Sequence, residues 1–217
     1  MSDQGSLSDS EPGAVGGAGS SGGSGGDGEA NSSKFSAQSV SLRAQKKLIG
    51  KLANQKAVKI FIDATSARAF DSIYRIVKLH TGSRSRAQKT MKHIVKLNMK
   101  VAVLYTHDIL SESEKALADQ FRDRFNDLAT DLVLMQRGRR QLDKEKLAKQ
   151  FRDCEAIALR MVRRHLSEKS LTSIRTCSDL FTEPRFLQAL FDPSSPLAPH
   201  MTSLCQDVQE LLDRGVV

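Results

Sequence analysis

From Ser39 to the end of the chain, apolar residues recur at spacings of three and four, the period of helices that bury one face. In residues 38–54, Leu42, Leu48, Ile49 and Leu52 share one face, while Arg43, Lys46, Lys47 and Lys51 share the other. A basic amphipathic helix of this kind lies on an anionic membrane, fits a partner groove, or is a terminal helix with solvated lysines. The pattern leaves all three open. Gly50 weakens this helix by about 1 kcal/mol relative to alanine. The next apolar run, residues 57–66, is short enough for a strand, but its neighbours are helical and no alternating run exists to pair with it. It therefore predicts a helix ending near Asp63. Asp63, Thr65 or Ser66 then caps a helix with Phe70, Ile73, Tyr74 and Val77 facing inward, ended by Gly82.

The stretch from Arg84 to Tyr105 has the widest apolar arc. Lys89, Lys92, Lys96 and Lys100 fall on one narrow stripe, and Met91, Ile94, Val95, Leu97, Met99, Val101, Ala102 and Leu104 fill most of the rest. A surface helix carries an apolar arc of about 100° or a little more, and this one is wider. It predicts a central helix, surrounded by others and reaching water along its lysine edge. Asn98 sits inside the arc, where a polar group is costly without a partner. That pattern fits a tight core and equally fits the wall of a cavity.

Ser111-x-x-Glu114 is a capping box opening a further helix, with Leu117, Phe121, Phe125, Leu128 and Leu132 as its buried stripe. After the basic linker at residues 136–141, Leu147, Phe151, Cys154, Ala158, Met161 and His165 continue the helical period. A helix through Leu171, Ile174 and Phe181 follows, then a short one started by Pro184. The final helix carries Leu197, Met201, Leu204, Val208 and Leu211. Six or seven helices with short connections and no credible strand predict an all-α bundle.

Composition divides the chain in two. Residues 1–33 hold ten of the fourteen glycines, five acidic residues and no Lys or Arg, a composition that predicts a disordered Gly/Ser-rich acidic tail. The Gly17-x-Gly19-x-x-Gly22 match to a dinucleotide fingerprint lies in this tract, follows no strand and opens no helix, so it carries no cofactor assignment. Residues 34–217 hold 33 basic and 20 acidic residues, a net of +13, which favours anionic partners. Three widely spaced cysteines, Cys154, Cys177 and Cys205, point to reduced thiols in a cytosolic protein.

Little in the chain suggests chemistry. The five histidines show no metal-ligand spacing, no serine or cysteine lies in a catalytic motif, and Glu112 and Glu114 read as helix-cap charges. No enzyme activity, metal or cofactor is expected. Nucleic acid is disfavoured by sparse aromatics, the absence of Trp and the lack of any recognised binding motif.

Several short matches in fixed order give the chain a family resemblance. They are Ser39-Val-x-Leu42-x-Ala44-Gln45-Lys46-Lys47, Phe61-Ile62-Asp63-x-Thr65-Ser66, Asp71-x-x-Tyr74-Arg75 and His80-Thr81. Ala87-Gln-x-x-Met91-Lys92-x-x-x-Lys96-x-x-x-Lys100-Val, Phe121-Arg122, Cys154, His165-Leu166-x-x-Lys169-Ser170, Ile174-Arg175, Pro184 and Leu211-Leu212-Asp213 continue it. From about Phe35 onward the chain resembles the tumour necrosis factor alpha-induced protein 8-like (TIPE) family. The resemblance implies an antiparallel bundle of about six helices around a central hydrophobic cavity that accepts a phospholipid's acyl chains. It further implies non-enzymatic phosphoinositide binding, lipid transfer, and regulation of apoptosis and of immune or growth signalling. Partners would be phosphoinositides, the anionic inner face of membranes, and signalling proteins, with a cytoplasmic location.

By the same resemblance, Lys46, Lys47, Lys51 and Arg122 would meet the head group and membrane, and Met91, Ile94, Val95, Asn98, Val101, Ala102, Phe121 and Phe125 would line the cavity. Two departures stand out: Thr106-His107 occupies a place where relatives carry an arginine, and the connector Arg137-Gly-Arg139-Arg140 is basic where theirs is acidic and aromatic. The alternative is an adaptor for cell-death or cytoskeletal signalling with an ordinary packed core.

Overall fold

The computed structural model describes residues 64–215, and within them lie seven α-helices and no strand. We number them α1 (Ala64–Thr81), α2 (Arg84–Thr106), α3 (Glu112–Gln136), α4 (Lys144–Val162), α5 (Glu168–Phe181), α6 (Pro184–Phe191) and α7 (Ala198–Asp213). The predicted tail, the basic helix carrying Lys46, Lys47 and Lys51, and the apolar run before Asp63 lie outside the described residues.

Local chemistry sets the boundaries. Gly82, at φ +61°, turns the chain between α1 and α2, and Ser83 then caps α2 by accepting the Arg86 N–H at 3.2 Å. Ser111 and Glu114 make the reciprocal capping box that opens α3. Asp143 caps α4 by accepting the Lys146 N–H at 2.8 Å, and Pro184 occupies the first turn of α6. Thr65 and Ser66 lie inside α1 rather than before it. Thr65 instead donates its hydroxyl to Glu210 Oε1 at 2.6 Å.

The packing order gives the architecture. α1 packs on α2, α2 on α5, α5 on α4, α4 on α3, α3 on α7, and α7 back on α1. Six helices thus close into a ring. Contacts at the element ends show neighbours running antiparallel. Lys100 near the end of α2 donates to Ser170 near the start of α5 at 2.7 Å, and Gln136 at the end of α3 donates to Thr202 early in α7 at 3.0 Å. The α1–α7 seam is held by Arg68, whose Nε donates to Asp207 at 2.9 Å and whose Nη2 donates to Glu210 at 3.1 Å.

α2 is therefore one stave of the ring, with α1 and α5 as its main described neighbours, rather than its axis. Three of the four residues of its predicted lysine edge, Lys89, Lys92 and Lys96, are exposed, whereas Lys100 is half-buried against Ser170; Tyr105 is the other exposed residue beyond the first turn.

Buried side chains fall into three groups. One spans α1, α3, α4, α6 and α7, where Phe186 and Leu187 of α6 meet Ile76, Leu128, Leu147 and Met201. α6 thus inserts into the ring and fills one end. A second group, Tyr74, Val77, Ala87 and Met91, lies beside it. The third, Leu104, Leu110, Met161, Val162, Leu171 and Ile174, fills the opposite end. Val95 and Met99 of α2 are buried but belong to none of the three, and the same holds for Ala69, Ala129, Ile157 and Leu211 on other helices.

Candidate functional site

One stripe of α2 runs along most of its length: Ala87, Met91, Val95, Asn98 and Ala102, at spacings of three and four. Ala87 and Met91 are 0% exposed and packed among Tyr74 and Val77, with Ile94 against the same group. Val101 packs at the opposite end with Leu104. Val95, buried, lies between these ends, and Asn98 and Ala102, half-buried, lie toward the second; none of the three joins a core group. Asn98 makes no side-chain hydrogen bond among the described residues.

Across the ring, Phe121 and Phe125 of α3 stack with centroids 5.9 Å apart. Phe121 packs on the main core, but Phe125 is 37% exposed, so the α3 stripe read from spacing is not wholly buried. The arc of α3 drifts along its 25 residues, and Leu128, Ala129, Val133 and Met135 carry the deep packing. Three polar atoms among the described residues are buried without a hydrogen-bond partner: Asn126 Oδ1 near the middle of α3, Gln150 Oε1 on α4, and Ser178 Oγ in the last turn of α5. Such atoms are rare in native interiors and call for an occupant such as water or ligand.

Among the predicted head-group residues, Lys46, Lys47 and Lys51 fall outside the described part. Arg122 is exposed on α3 and pairs with Asp119 at 3.0 Å. An exposed pair of this type is worth about 0–1 kcal/mol, so the guanidinium is free to change partners. In the basic connector, Arg140 is already held by Asp131, which is buried and also takes Lys146 Nζ at 2.6 Å. Arg137 and Arg139 are exposed. His107 caps the end of α2 on the surface.

The structure also assembles a polar groove that spacing alone does not pair. Ser113, Ala116, Leu117 and Gln120 on one stripe of α3 face Arg160, Arg163 and Arg164 at the end of α4, around a volume of about 480 Å³. Glu114 lies in its wall. Its carboxylate accepts the Ser111 N–H, the Ser111 hydroxyl and a contact from His165 Nε2 at 3.1 Å. The Ser111 N–H first, then His165 and the Ser111 hydroxyl, hold its pKa down at about 2. In the sequence Glu114 reads as a cap charge and His165 as the last position of a helical stripe, with nothing to pair them.

Among the described residues, three thiols and a histidine also depart from their ordinary pKa values. Burial pushes the thiols of Cys154 and Cys177 up to about 11 and that of Cys205 to about 12. Burial, then the lysines Lys89, Lys96 and Lys169, lower His93 from its ordinary value. Among the described residues no cluster of His, Cys, Asp and Glu has the arrangement to hold a metal ion, and no helix is long and apolar enough to cross a membrane.

Residues 35–215 match the protein family described as Tumor necrosis factor alpha-induced protein 8-like. Tumor necrosis factor alpha-induced protein 8-like protein 2 of Salmo salar is 34% identical over 181 residues, covering 83% of this chain and 97% of the relative. The protein of the same name from Otolemur garnettii is 35% identical with the same coverage of both chains. Tumor necrosis factor alpha-induced protein 8 of Gallus gallus is 32% identical, over 83% of this chain and 96% of its own length.

Proposed function

The chain belongs to the Tumor necrosis factor alpha-induced protein 8-like family, and on that premise we propose that it is a non-enzymatic, phosphoinositide-binding lipid carrier of the cytoplasm. In this reading it works at the inner face of membranes in the control of cell death and of immune or growth signalling. The acyl chains occupy the middle of the helical ring, along Val95, Asn98 and Ala102 of α2 and the Phe121–Phe125 pair of α3. The phosphorylated head group rests at a basic rim supplied by Lys46, Lys47, Lys51 and Arg122.

The closed ring of six antiparallel helices is the observation that supports this reading best. Axes about 8–10 Å apart in a regular hexagon lie the same distance from its centre, and a helix about 10–12 Å across leaves a central gap of about 4–10 Å. α6 fills one end of that gap and the third core group the other. Near the middle, Val95 stands apart from the core groups and Asn126 keeps an unpaired oxygen. A lipid there would gain about 0.8 kcal/mol per buried CH₂, and the rim would add charge-assisted hydrogen bonds to phosphate.

Native mass spectrometry with lipid extraction of the purified protein tests the interior, and vesicle flotation tests the rim. A co-purifying phospholipid is expected, together with loss of binding to phosphoinositide vesicles in the Lys46→Glu/Lys47→Glu variant at unchanged helical circular dichroism. A lipid-free protein that captures signalling partners regardless of lipid would instead make the bundle an adaptor. Unchanged vesicle binding in the double variant would remove the rim assignment.

A further inference from the structure

The groove between the start of α3 and the end of α4 is not part of that rim, and Arg122 does not line it. We propose that it is a second anion site, taking a multiply phosphorylated group through Arg160, Arg163 and Arg164, with Ser113 and Gln120 as polar partners. The two helices run antiparallel, so the first turns of α3 and the last turn of α4 meet at one end of the ring. Ser113, Ala116, Leu117 and Gln120 of α3, at i, i+3, i+4 and i+7, line one side, and Arg160 of the last turn of α4, with Arg163 and Arg164 just beyond it, lines the other.

The charge state of the groove carries the argument. Elsewhere on these helices arginines are neutralised locally: Arg122 by Asp119, Arg124 by Asp127, Arg152 by Glu155 and Asp179. Arg160, Arg163 and Arg164 have no carboxylate partner among the described residues, although they stand within one groove. Glu114, the carboxylate in the wall, is already engaged by Ser111 and His165. Three guanidiniums against one committed carboxylate leave an excess of two positive charges, a repulsive arrangement that a bound anion relieves. Arginine is suited to this task, because its planar fork meets phosphate oxygens two at a time.

Size selects the ligand class. The groove, of about 480 Å³ and open to solvent, is larger than one phosphate requires. Exposure of all three arginines means that the ligand arrives from solvent or from a membrane surface, without entering the ring. The shared chemistry is a polyphosphorylated polar group, whether free or as a lipid head group. The proposal does not depend on whether the ring holds acyl chains.

The test has a soluble arm and a membrane arm. Titration calorimetry with inositol hexakisphosphate reports free polyphosphate, and flotation with phosphatidylcholine vesicles containing phosphatidylinositol 4,5-bisphosphate reports head groups. The variant is Arg160→Gln/Arg163→Gln/Arg164→Gln, and its control is Lys89→Gln/Lys92→Gln/Lys96→Gln, which removes equal charge from the exposed edge of α2. The arginine triple should bind at least about tenfold more weakly than wild type, since even one lost hydrogen bond to a charged group is worth that factor. The lysine triple should change little. Weakening in the soluble arm identifies a free polyphosphate ligand, and weakening confined to vesicles identifies a head group. Equal losses from the two triples, or no loss in either arm, would overturn the site. Should the arginine triple fail to fold, Arg164→Gln alone, in the turn beyond α4, carries the same comparison. Lipid content measured on the same samples separates failure of this site from failure of the carrier reading.

Discussion

Ala87 and Ala102 offer a matched experiment on whether the ring is hollow. Both lie on the same stripe of α2, and Ala→Phe adds the same volume at each. Ala87 is 0% exposed and enclosed by Tyr74, Val77 and Met91, so a phenyl ring there must displace packed neighbours. Overpacking of that kind costs about 1–3 kcal/mol. For a domain of this size each kcal/mol moves the melting temperature about 2–4 °C, giving an expected fall of about 2–12 °C for Ala87→Phe. Ala102, toward the far end of α2, is half-buried and outside all three core groups, where an open interior would admit the ring. Ala102→Phe should therefore hold its melting temperature within about 2 °C and lower the phospholipid that co-purifies. Scanning calorimetry and lipid extraction on the same preparations provide both numbers. Equal destabilisation by the two substitutions, or undiminished lipid in Ala102→Phe, would refute the hollow middle.

Two further measurements probe the polar and thiol groups. Glu114 has its pKa depressed in the folded state, from an ordinary 4.5 to about 2, so its contribution to stability is fully present above pH 4.5 and lost as pH falls through about 2. The melting temperature of Glu114→Gln should lie below wild type at pH 7, and the gap should close across that window; a gap independent of pH would exclude the ionised carboxylate as its source. The three cysteines are free, and burial raises all three thiols to about 11 or 12. At pH 8 an aromatic disulfide reagent should label them slowly in the native protein and all three promptly in denaturant, whereas one native thiol reacting at the rate of free cysteine would contradict their burial.

The helices were legible because their ends carry local chemistry. Ser83, the Ser111–Glu114 box, Asp143 and Pro184 each act within three or four residues of themselves, so the boundaries of α2, α3, α4 and α6 can be read from neighbours in the chain. The lysine edge of α2 was legible for the same reason. Ring closure was not, since periodicity states how much of a helix is apolar and is silent on which helix covers it. A wide apolar arc suits a stave facing an interior as well as it suits an axis. The arginine groove stayed hidden because its two halves are some 40 residues apart. Arg160, Arg163 and Arg164 show helical spacing in the sequence, and the capping box already engages Glu114, but only the fold brings the arginines to that carboxylate and adds His165 to its partners.

The α1–α7 seam has a consequence for how the ring is made. Thr65 and Glu210 are 145 positions apart, so the two staves that complete the circle come from opposite ends of the described chain. Contacts of such long range form slowly, because chain closure must precede any reward from them. During synthesis the first five staves of the ring exist before the sixth, and the wall stays open along one side until α7 emerges. Arg68, reaching Asp207 and Glu210 together, is then the clasp of a structure whose interior is accessible throughout its assembly and is shut only at the last step.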